Sequence, residues 1–239
     1  MSAIADGLQA VKDRISRAIL AAGRAPHEVT LLAVSKTVDV DRIREAQRCG
    51  QRAFGENYVQ EALAKIDALR DLDLAWHFIG PLQSNKTRPI AEHFDWVHGV
   101  DRAKIAERLA AARPAGRPPL NVCIQLNVSG EASKSGVAPG EEAELARAIA
   151  GLPQLRLRGL MAIPEPSDDA ALLRARYAQV RAAYDRLRAQ GHALDTLSMG
   201  MSDDLDIAIA EGATMVRVGT AIFGARPKKP GATAADEHR

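Results

Sequence analysis

Short apolar runs alternate along the chain with longer segments in which apolar residues recur at helical spacing. The first segment, "AIADGLQAVKDRISRAILAAG", carries Leu8, Val11 and Ile15 on one face and ends at Gly23, so it predicts an N-terminal amphipathic helix. Eight runs of strand length follow it. They are "VTLLAVS", "RAFGE", "AWHFIG", "DWVHGV", "LNVCIQLNV", "RLRGLMAI", "LDTLSMG" and "TMVRVG".

Segments of helical period separate most of these runs and complete a repeating strand–helix order. The helix candidates are residues 39–48, 59–69, 102–112, 140–150, 170–189 and 203–211. Alternating strands and helices pair in parallel through right-handed crossovers. Eight such units in a chain of 239 residues predict an α/β protein with a single (β/α)8 TIM barrel.

The domain boundaries follow from the same pattern. We expect one barrel domain over residues 1–226 and a disordered tail over residues 227–239, where Pro, Ala and charged residues predominate. Two units look irregular, because the connection after "RAFGE" is long and the helix after "AWHFIG" is weak. The alternative fold is an open doubly wound sheet, although no "GxGxxG" motif follows the first strand.

Composition narrows the functional classes. The net charge of +2 comes from 32 basic and 30 acidic residues that form no long blocks, and aromatic residues make up 4%, so we expect no nucleic-acid partner. Two cysteines are too few for a disulfide framework, and the six histidines lack metal-ligand spacing, so we expect no metal. With no apolar run of signal-peptide or membrane length, the sequence predicts a cytoplasmic protein without membrane contact.

A lysine, Lys36, ends the first predicted strand in "LLAVSKTVDV". The C-terminal ends of barrel strands form the mouth where function concentrates, so the amine is expected to reach that mouth. Desolvation there favours the neutral amine, which is the form that attacks a carbonyl to make a Schiff base. The alternative is a lysine that extends to solvent or pairs with a carboxylate.

Small and hydroxyl-bearing residues follow the seventh and eighth strands, where barrels of this type often bind phosphate. Gly200 and Ser202 lie in "SMGMSDD", and Gly219 and Thr220 lie in "VRVGTAIFG". Glycines allow close approach of an anion, and hydroxyl groups add donors. Ser202 could instead cap the next helix, and the glycines could be ordinary turn residues.

Two further features bear on this predicted phosphate site. Asp203 and Asp204 would repel a phosphate unless they point away from it. Arg217 shares the strand face of Gly219 by alternation, and its alternative role is to pair with a carboxylate inside the barrel. A lysine nucleophile, a phosphate site and an arginine on one rim suit a phosphorylated carbonyl compound. Pyridoxal phosphate and a sugar phosphate handled by an aldolase both fit.

With these residues assembled, the sequence resembles the pyridoxal phosphate homeostasis protein family. The resemblance rests on "LLAVSKT", "FGENYVQE", "WHFIGPLQSNK", "NVSGEASKSG", "RGLMAIP", "LSMGMSDD" and "MVRVGTAIFGAR", in this order from Leu31 to Arg226. It implies a barrel of the alanine racemase N-terminal-domain type, which is pyridoxal phosphate fold type III. It also implies binding of pyridoxal 5'-phosphate (PLP) as a Schiff base on Lys36.

The resemblance assigns roles to six further residues. It implies that Arg217 faces the pyridine nitrogen and that two residues, Asn57 and Met161, line the cofactor. It places the phosphate against Ser202, Gly219 and Thr220.

The resemblance implies a PLP carrier in vitamin B6 homeostasis that holds the cofactor and transiently supplies it to apo-enzymes, without robust catalysis of its own. The arginine supports this, because a protonated guanidinium donates to the pyridine nitrogen and leaves the ring a weak electron sink. Lys134, in "GEASKSG", is a second amine that could hold PLP transiently, and the alternative is a solvated lysine in a loop of small residues.

An amino acid racemase of low activity and a Schiff-base aldolase are the alternative functions. In racemases that resemble this arrangement, the weak electron sink is compensated by an acid or base, because an additional C-terminal domain delivers a tyrosine. We expect no residues here that could build such a domain. Tyr177 and Tyr184 are predicted to lie far from the mouth, so Tyr58 is the tyrosine that could approach it. An aldolase needs a proton shuttle, and none stands out. The missing domain also favours a monomer.

Overall fold

The computed structural model describes residues 2–130 and 135–225. The predicted tail and Lys134 lie outside these ranges. The strands pair in parallel and in chain order, and β1 pairs with β8, so they close a barrel and confirm the predicted fold. The strands are β1 (Thr30–Val34), β2 (Ala53–Glu56), β3 (Ala75–Phe78), β4 (Trp96–Val100), β5 (Leu120–Leu126), β6 (Leu155–Ala162), β7 (Thr196–Ser198) and β8 (Met215–Val218).

Helices alternate with the strands as predicted. They are α1 (Ala3–Ala21), α2 (Val40–Arg48), α3 (Val59–Ala68), α4 (Thr87–His93), α5 (Ala103–Ala112), α6 (Glu142–Ala150), α7 (Ala170–Ala189), α8 (Leu205–Ala210) and α9 (Thr220–Phe223). The weak helix expected after the third strand is a 3-10 turn (Ser84–Lys86) that leads into α4. Within the described ranges, no helix combines the length and the apolar character needed to cross a membrane.

The N-terminal helix α1 completes the outer helical layer at the place where the barrel closes. The helix that follows β8 has only four residues, and α1 packs against α8, α9 and α2. Gly7 allows the close approach to α9, because a Cβ at this position would lie 2.7 Å from the carbonyl oxygen of Ala221. The buried face of α1, with Leu8, Val11 and Ile15 among its members, is the one predicted.

Strand register decides which side chains lie inside the barrel. Leu32 pairs with Arg217 and Gly55 pairs with His77, while Met161 pairs with Ser198, and partners in register share a face. The opposite face of each strand packs against the helices and forms the main hydrophobic core. The barrel interior, by contrast, holds a layer of polar side chains.

This polar layer is a continuous chain of buried side chains. His77 Nδ1 lies 2.9 Å from His98 Nε2, and His98 Nδ1 lies 2.8 Å from Ser198 Oγ. Arg217 Nη1 donates to the same Ser198 Oγ at 2.9 Å. Because the Ser198 hydroxyl has no other acceptor among the described residues, it donates to His98 Nδ1, and His98 then donates from Nε2 to His77. The chain fixes one tautomer for each histidine.

Both histidines are fully buried, which disfavours their charged forms. Burial lowers the pKa of His77 to about 3. Burial also lowers the pKa of His98, with the neighbouring His77 and Arg217 acting in the same direction. Neutral imidazoles are what the donor–acceptor order above requires.

β6 and β7 approach each other closely at Gly159. The residue follows an irregularity in the β5–β6 register, and it pairs with Thr196. A Cβ built at position 159 would lie 1.7 Å from the Thr196 carbonyl oxygen, which is backbone and cannot move aside easily. The contact therefore requires glycine.

We expect Gly159→Ala to lower the free energy of unfolding by about 3 kcal/mol, because the methyl group forces the two strands apart. Urea denaturation measures the change. The control is Gly116→Ala, at a position where a Cβ meets nothing within 4 Å, and its effect should stay within about 0.5 kcal/mol. Equal midpoints for the two variants would contradict the prediction.

A second prediction concerns pH. Above about pH 6.5, His77 is neutral in the folded and the unfolded chain, whereas between pH 6.5 and about 3 only the unfolded chain binds the proton. The free energy of unfolding should therefore fall as pH falls, with a His77 contribution of up to about 1.4 kcal/mol per pH unit.

The measurement is urea unfolding of wild type and His77→Gln between about pH 7 and pH 5. The slope of the free energy of unfolding against pH should be smaller for His77→Gln than for wild type by that amount. This comparison does not depend on the absolute stability of the variant. The exposed His27→Gln variant serves as control. Parallel curves for wild type and His77→Gln would show that the buried imidazole is not the source of the slope.

Candidate functional site

Lys36 lies in a tight turn that directly follows β1. Ser35 accepts a hydrogen bond at its carbonyl from the Val38 N–H at 3.0 Å, so Lys36 and Thr37 are the two central residues of the turn. Thr37 has a φ of +64°, and no other non-glycine residue of the described ranges has a positive φ. A positive φ at the third position is the mark of a type II turn, in which glycine is the usual residue.

The turn stores strain beside the candidate nucleophile. A β-branched residue in the left-handed region is an outlier that costs on the order of 1–3 kcal/mol. Such outliers concentrate at functional sites, where the surrounding structure keeps them in place. The conformation of Thr37 therefore marks this turn as a position where geometry matters more than local stability.

Three of the predicted residues lie at or just after strands of the barrel. Leu32 and Val34 lie on the inner face of β1 and Gly55 lies on that of β2, and Lys36 and Asn57 follow these two strands along the chain. Asn57 Oδ1 is buried and has no hydrogen-bond partner within the described chain. Met161 is buried inside the barrel, in register with the strand that carries Ser198. An unpartnered buried acceptor indicates a site that a ligand group completes.

Arg217 is held rigidly between β8, β7 and β6. Its Nη1 donates to the Ser198 carbonyl at 2.6 Å and to Ser198 Oγ, and its Nη2 donates to the Ala162 carbonyl at 2.9 Å. The alternative of a carboxylate partner is not what the described residues show, because these acceptors are neutral. Burial lowers the pKa of Arg217 from its ordinary value. The guanidinium is therefore a fixed cation inside the mouth.

The loop after β7 is shaped by Asp204. This buried carboxylate accepts from the Met201 N–H at 2.6 Å and from the Tyr177 hydroxyl at 2.7 Å. It therefore points into the protein rather than toward an anion at the rim, which removes the repulsion expected from Asp204; Asp203 is exposed. Ser202 does not cap α8, since Asp204 occupies the N-cap position. The Ser202 carbonyl accepts from Arg14 of α1, which ties this loop to the N-terminal helix.

The prediction that Tyr177 lies far from the mouth was wrong. α7 packs against α8 and brings the hydroxyl of Tyr177 to Asp204 in the loop after β7. Burial, and then the charge of Asp204, raise the pKa of Tyr177, so the hydroxyl stays protonated and donates. Helical periodicity placed Tyr177 on the buried face but could not give the reach of its side chain. Tyr184 does lie away from the mouth, where it donates to the Leu194 carbonyl ahead of β7.

The loop after β8 offers backbone and hydroxyl donors. Gly219 passes close to β1, because a Cβ there would lie 3.1 Å from the Val34 carbonyl oxygen. Thr220 begins α9, and its N–H donates to no acceptor within the described chain, as is also true of the Ser202 N–H. The predicted donors thus lie at the ends of two neighbouring strands. Backbone N–H groups without partners suit an anion.

A cavity of about 450 Å³ lies elsewhere, between α1 and the N-terminal ends of β1 and β2. Lys12, Gln51 and Arg52 are among its lining residues. It holds none of the predicted site residues, and it opens at the end of the barrel opposite to the mouth. Parallel strands place function at their C-terminal ends, so the mouth remains the candidate site.

Sequence reasoning missed the residues that support the site from behind. His77, His98 and Ser198 each occupy an inward position of an apolar strand, and this recurrence of polar residues at equivalent positions was the available signal. Lys65 is buried on an otherwise amphipathic helix, and nothing in the periodicity marks it as different from an exposed lysine.

Comparison with known proteins agrees with this geometry. The family model described as the N-terminal domain of alanine racemase matches residues 8–227. A pyridoxal phosphate homeostasis protein from Pseudomonas aeruginosa is 62% identical over 226 residues, which cover 95% of this chain and 97% of the relative. The protein of that name from Escherichia coli K12 is 56% identical over 229 residues, with coverage of 95% and 98%.

The solved structures include a near relative with a ligand. PipY of Synechococcus elongatus, in the structure with PLP bound, is 42% identical and superimposes with a TM-score of 0.78. The match covers 92% of this chain and all of PipY. These similarities extend over nearly the full length of both partners and confirm the resemblance inferred from the motifs. The chain belongs to the pyridoxal phosphate homeostasis protein family, whose barrel is of the alanine racemase N-terminal-domain type.

Proposed function

We propose that this protein binds PLP in the mouth of the barrel, holds it as a Schiff base on Lys36 and supplies it to other enzymes in intracellular vitamin B6 homeostasis. The observation that carries the proposal is the meeting of β1 and β8. The strand pairing brings the end of β1 beside β8, which carries Arg217, a buried cation whose hydrogen bonds within the described residues go to neutral acceptors. The position of Lys36 in the turn after β1 supports a common site with Arg217. The relatives named for PLP homeostasis, and PipY with PLP bound, support it.

The residues present fit the groups that PLP carries. The cofactor brings an aldehyde, a ring hydroxyl, a ring nitrogen and a phosphate, and the mouth offers a partner for each. Lys36 provides the amine for the aldehyde, and the unpartnered Asn57 Oδ1 provides an acceptor suited to the hydroxyl. Ser202 and Thr220 provide hydroxyl and N–H donors for the phosphate. Met161, buried in register with Ser198, is the residue expected to line the cofactor.

Arg217 decides what the bound cofactor can do. In this proposal it faces the ring nitrogen, and its position is set by three hydrogen bonds to Ser198 and Ala162. A guanidinium donates and does not give up its proton, so the nitrogen stays unprotonated and the ring withdraws electrons weakly. When bound, PLP then supplies a reactive aldehyde more than a carbanion sink. That property suits storage and delivery.

Among the described residues, the tyrosines that could serve a racemase as acid or base are not free at the mouth. Tyr58 follows Asn57 but is 51% exposed, and the Tyr177 hydroxyl is engaged by Asp204. No observation favours the racemase or the aldolase over the carrier. Transient apo-enzyme partners, a monomeric state and a cytoplasmic location remain predictions from the sequence.

We expect wild-type protein mixed with PLP to show a Schiff-base absorption band. Borohydride reduces the Schiff base to a stable amine, so the label should then stay on the peptide that contains Lys36. Lys36→Ala should lack both the band and the labelled peptide, because the amine is gone. Lys104→Ala, which removes an exposed lysine of α5, is the control and should behave like wild type. Absorption spectra and peptide mass spectrometry provide the readouts. A wild type that never acquires the band would refute the proposal.

We expect Thr220→Val to weaken PLP binding about tenfold, since one hydrogen bond to a charged group is worth roughly 1.5 kcal/mol. Pyridoxal lacks the phosphate, so its dissociation constant should be the same for wild type and variant. Fluorescence titration with both ligands gives the comparison. Equal losses for PLP and pyridoxal would mean that Thr220 acts on something other than the phosphate.

A further inference from the structure

A buried group of charged side chains lies behind the turn that carries Lys36. Lys65 of α3, with its side chain 6% exposed, donates to Glu56 Oε1 at 2.8 Å and to Glu61 Oε1 at 2.5 Å. Its third hydrogen bond runs to the Ser35 carbonyl at 2.7 Å. We refer to Glu56, Glu61 and Lys65 as the Lys65 cluster. It lies on the outer face of the barrel, between the strands and α3.

The Lys65 cluster contacts both chain neighbours of Lys36. On one side, the Ser35 hydroxyl donates to Glu56 Oε1 at 2.6 Å, and the Ser35 carbonyl accepts from Lys65. On the other side, the Thr37 N–H donates to Glu61 Oε1 at 2.5 Å. One carboxylate oxygen of Glu61 therefore binds both the Thr37 backbone and the Lys65 ammonium. The Lys65 cluster is therefore bonded to the backbone on both sides of Lys36.

Packing alone does not explain the Lys65 cluster. Burying an ion pair costs desolvation that its Coulomb attraction only partly returns, and apolar residues would fill the same volume. Glu56 is fully buried, and its Oε2 has no hydrogen-bond partner within the described chain. Burial also raises the pKa of Glu56, against the effect of Lys65. A costly group that contacts the backbone on both sides of one residue points to a role at that residue.

The strained backbone of Thr37 shows what that role is. A threonine with φ of +64° tends to relax to a negative φ unless a bond to its backbone opposes the change. The hydrogen bond from the Thr37 N–H to Glu61 is such a bond, and Lys65 holds the Glu61 carboxylate in place for it.

We propose that the Lys65 cluster is a positioning device for Lys36: it stabilises Thr37 in the left-handed conformation and thereby directs the Lys36 amine into the mouth. The inference rests on the proposed function, in which that amine carries PLP. Glu61 and Lys65 are positioning residues, because they act on Lys36 through the turn. Loss of the Glu61 contact lets the turn relax and reduces the fraction of molecules whose amine is placed to react.

The proposal predicts a specific rescue. Glycine adopts a positive φ without strain, so Thr37→Gly keeps the turn without help from Glu61. Glu61→Leu should therefore slow Schiff-base formation with PLP at least about tenfold, the effect of losing a hydrogen bond to a charged group. Glu61→Leu combined with Thr37→Gly should react within about threefold of Thr37→Gly alone. Glu61→Gln keeps an acceptor for the Thr37 N–H and should lie between wild type and Glu61→Leu.

Stopped-flow absorbance gives the rate constants, and thermal unfolding of the same samples measures stability. The matched control is Asp67→Leu, which removes an exposed carboxylate from the same helix and should leave the rate unchanged. Glu61 is 31% exposed, so its replacement is compatible with folding. A wild-type rate in folded Glu61→Leu, or a double variant as slow as Glu61→Leu, would overturn the proposal.

Hydrogen exchange at the Thr37 amide tests the same contact without PLP. The amide should exchange at least about tenfold faster in Glu61→Leu than in wild type or Asp67→Leu. Unchanged exchange would overturn the proposal, and Glu61→Gln replaces Glu61→Leu in both measurements if the latter fails to fold. If wild type itself does not react with PLP, the proposed function fails, and the exchange result alone decides whether the Lys65 cluster fixes Thr37.

Discussion

The pairing of β1 with β8 is the constraint on which the rest of the structure depends. Leu32 pairs with Arg217, and Gly219 passes within contact distance of Val34, so residues from opposite ends of the chain meet on one inner face. The short α9 leaves the outer layer thin at this point, and α1 covers it. Arg14 of α1 also binds the carbonyl of Ser202 in the loop after β7. The contacts that close the barrel therefore also bring the strand ends of the candidate site together.

The polar side chains inside the barrel hold Arg217 of the candidate site in a fixed position. The chain from His77 through His98 and Ser198 ends at Arg217, and each member has a defined donor or acceptor role. A buried polar network is stable only when each member has its hydrogen-bond partners. We therefore expect a substitution at either histidine to disturb the position of the Arg217 guanidinium. The same burial keeps the imidazoles neutral, so the positive charge of this polar layer lies on Arg217. A fixed arginine suits a protein that holds PLP without activating it.

Lys36 is presented differently, from a strained turn rather than from the regular strand. The side chain of a lysine is long and flexible. The backbone conformation at Lys36 therefore determines which positions its amine can occupy. The left-handed Thr37 and the charged groups behind it give the turn one conformation at the expense of local stability. Rigid support on β8 and a strained turn after its neighbour β1 together shape the mouth in which, in the proposed function, PLP binds.

The sequence by itself determined the order of strands and helices, the barrel class and the positions of Lys36 next to the end of the first strand and of Arg217 within the last strand. These follow from local periodicity and from the rule that parallel strands end at one mouth, so near-neighbour information is sufficient. Motif resemblance added Asn57 and Met161. Only the tertiary structure showed that Asp204 turns inward to Tyr177, that two histidines extend the support of Arg217, and that Lys65 reaches the turn from α3. Such contacts join side chains from different elements, and their distances depend on how helices pack on the barrel, which no single segment encodes.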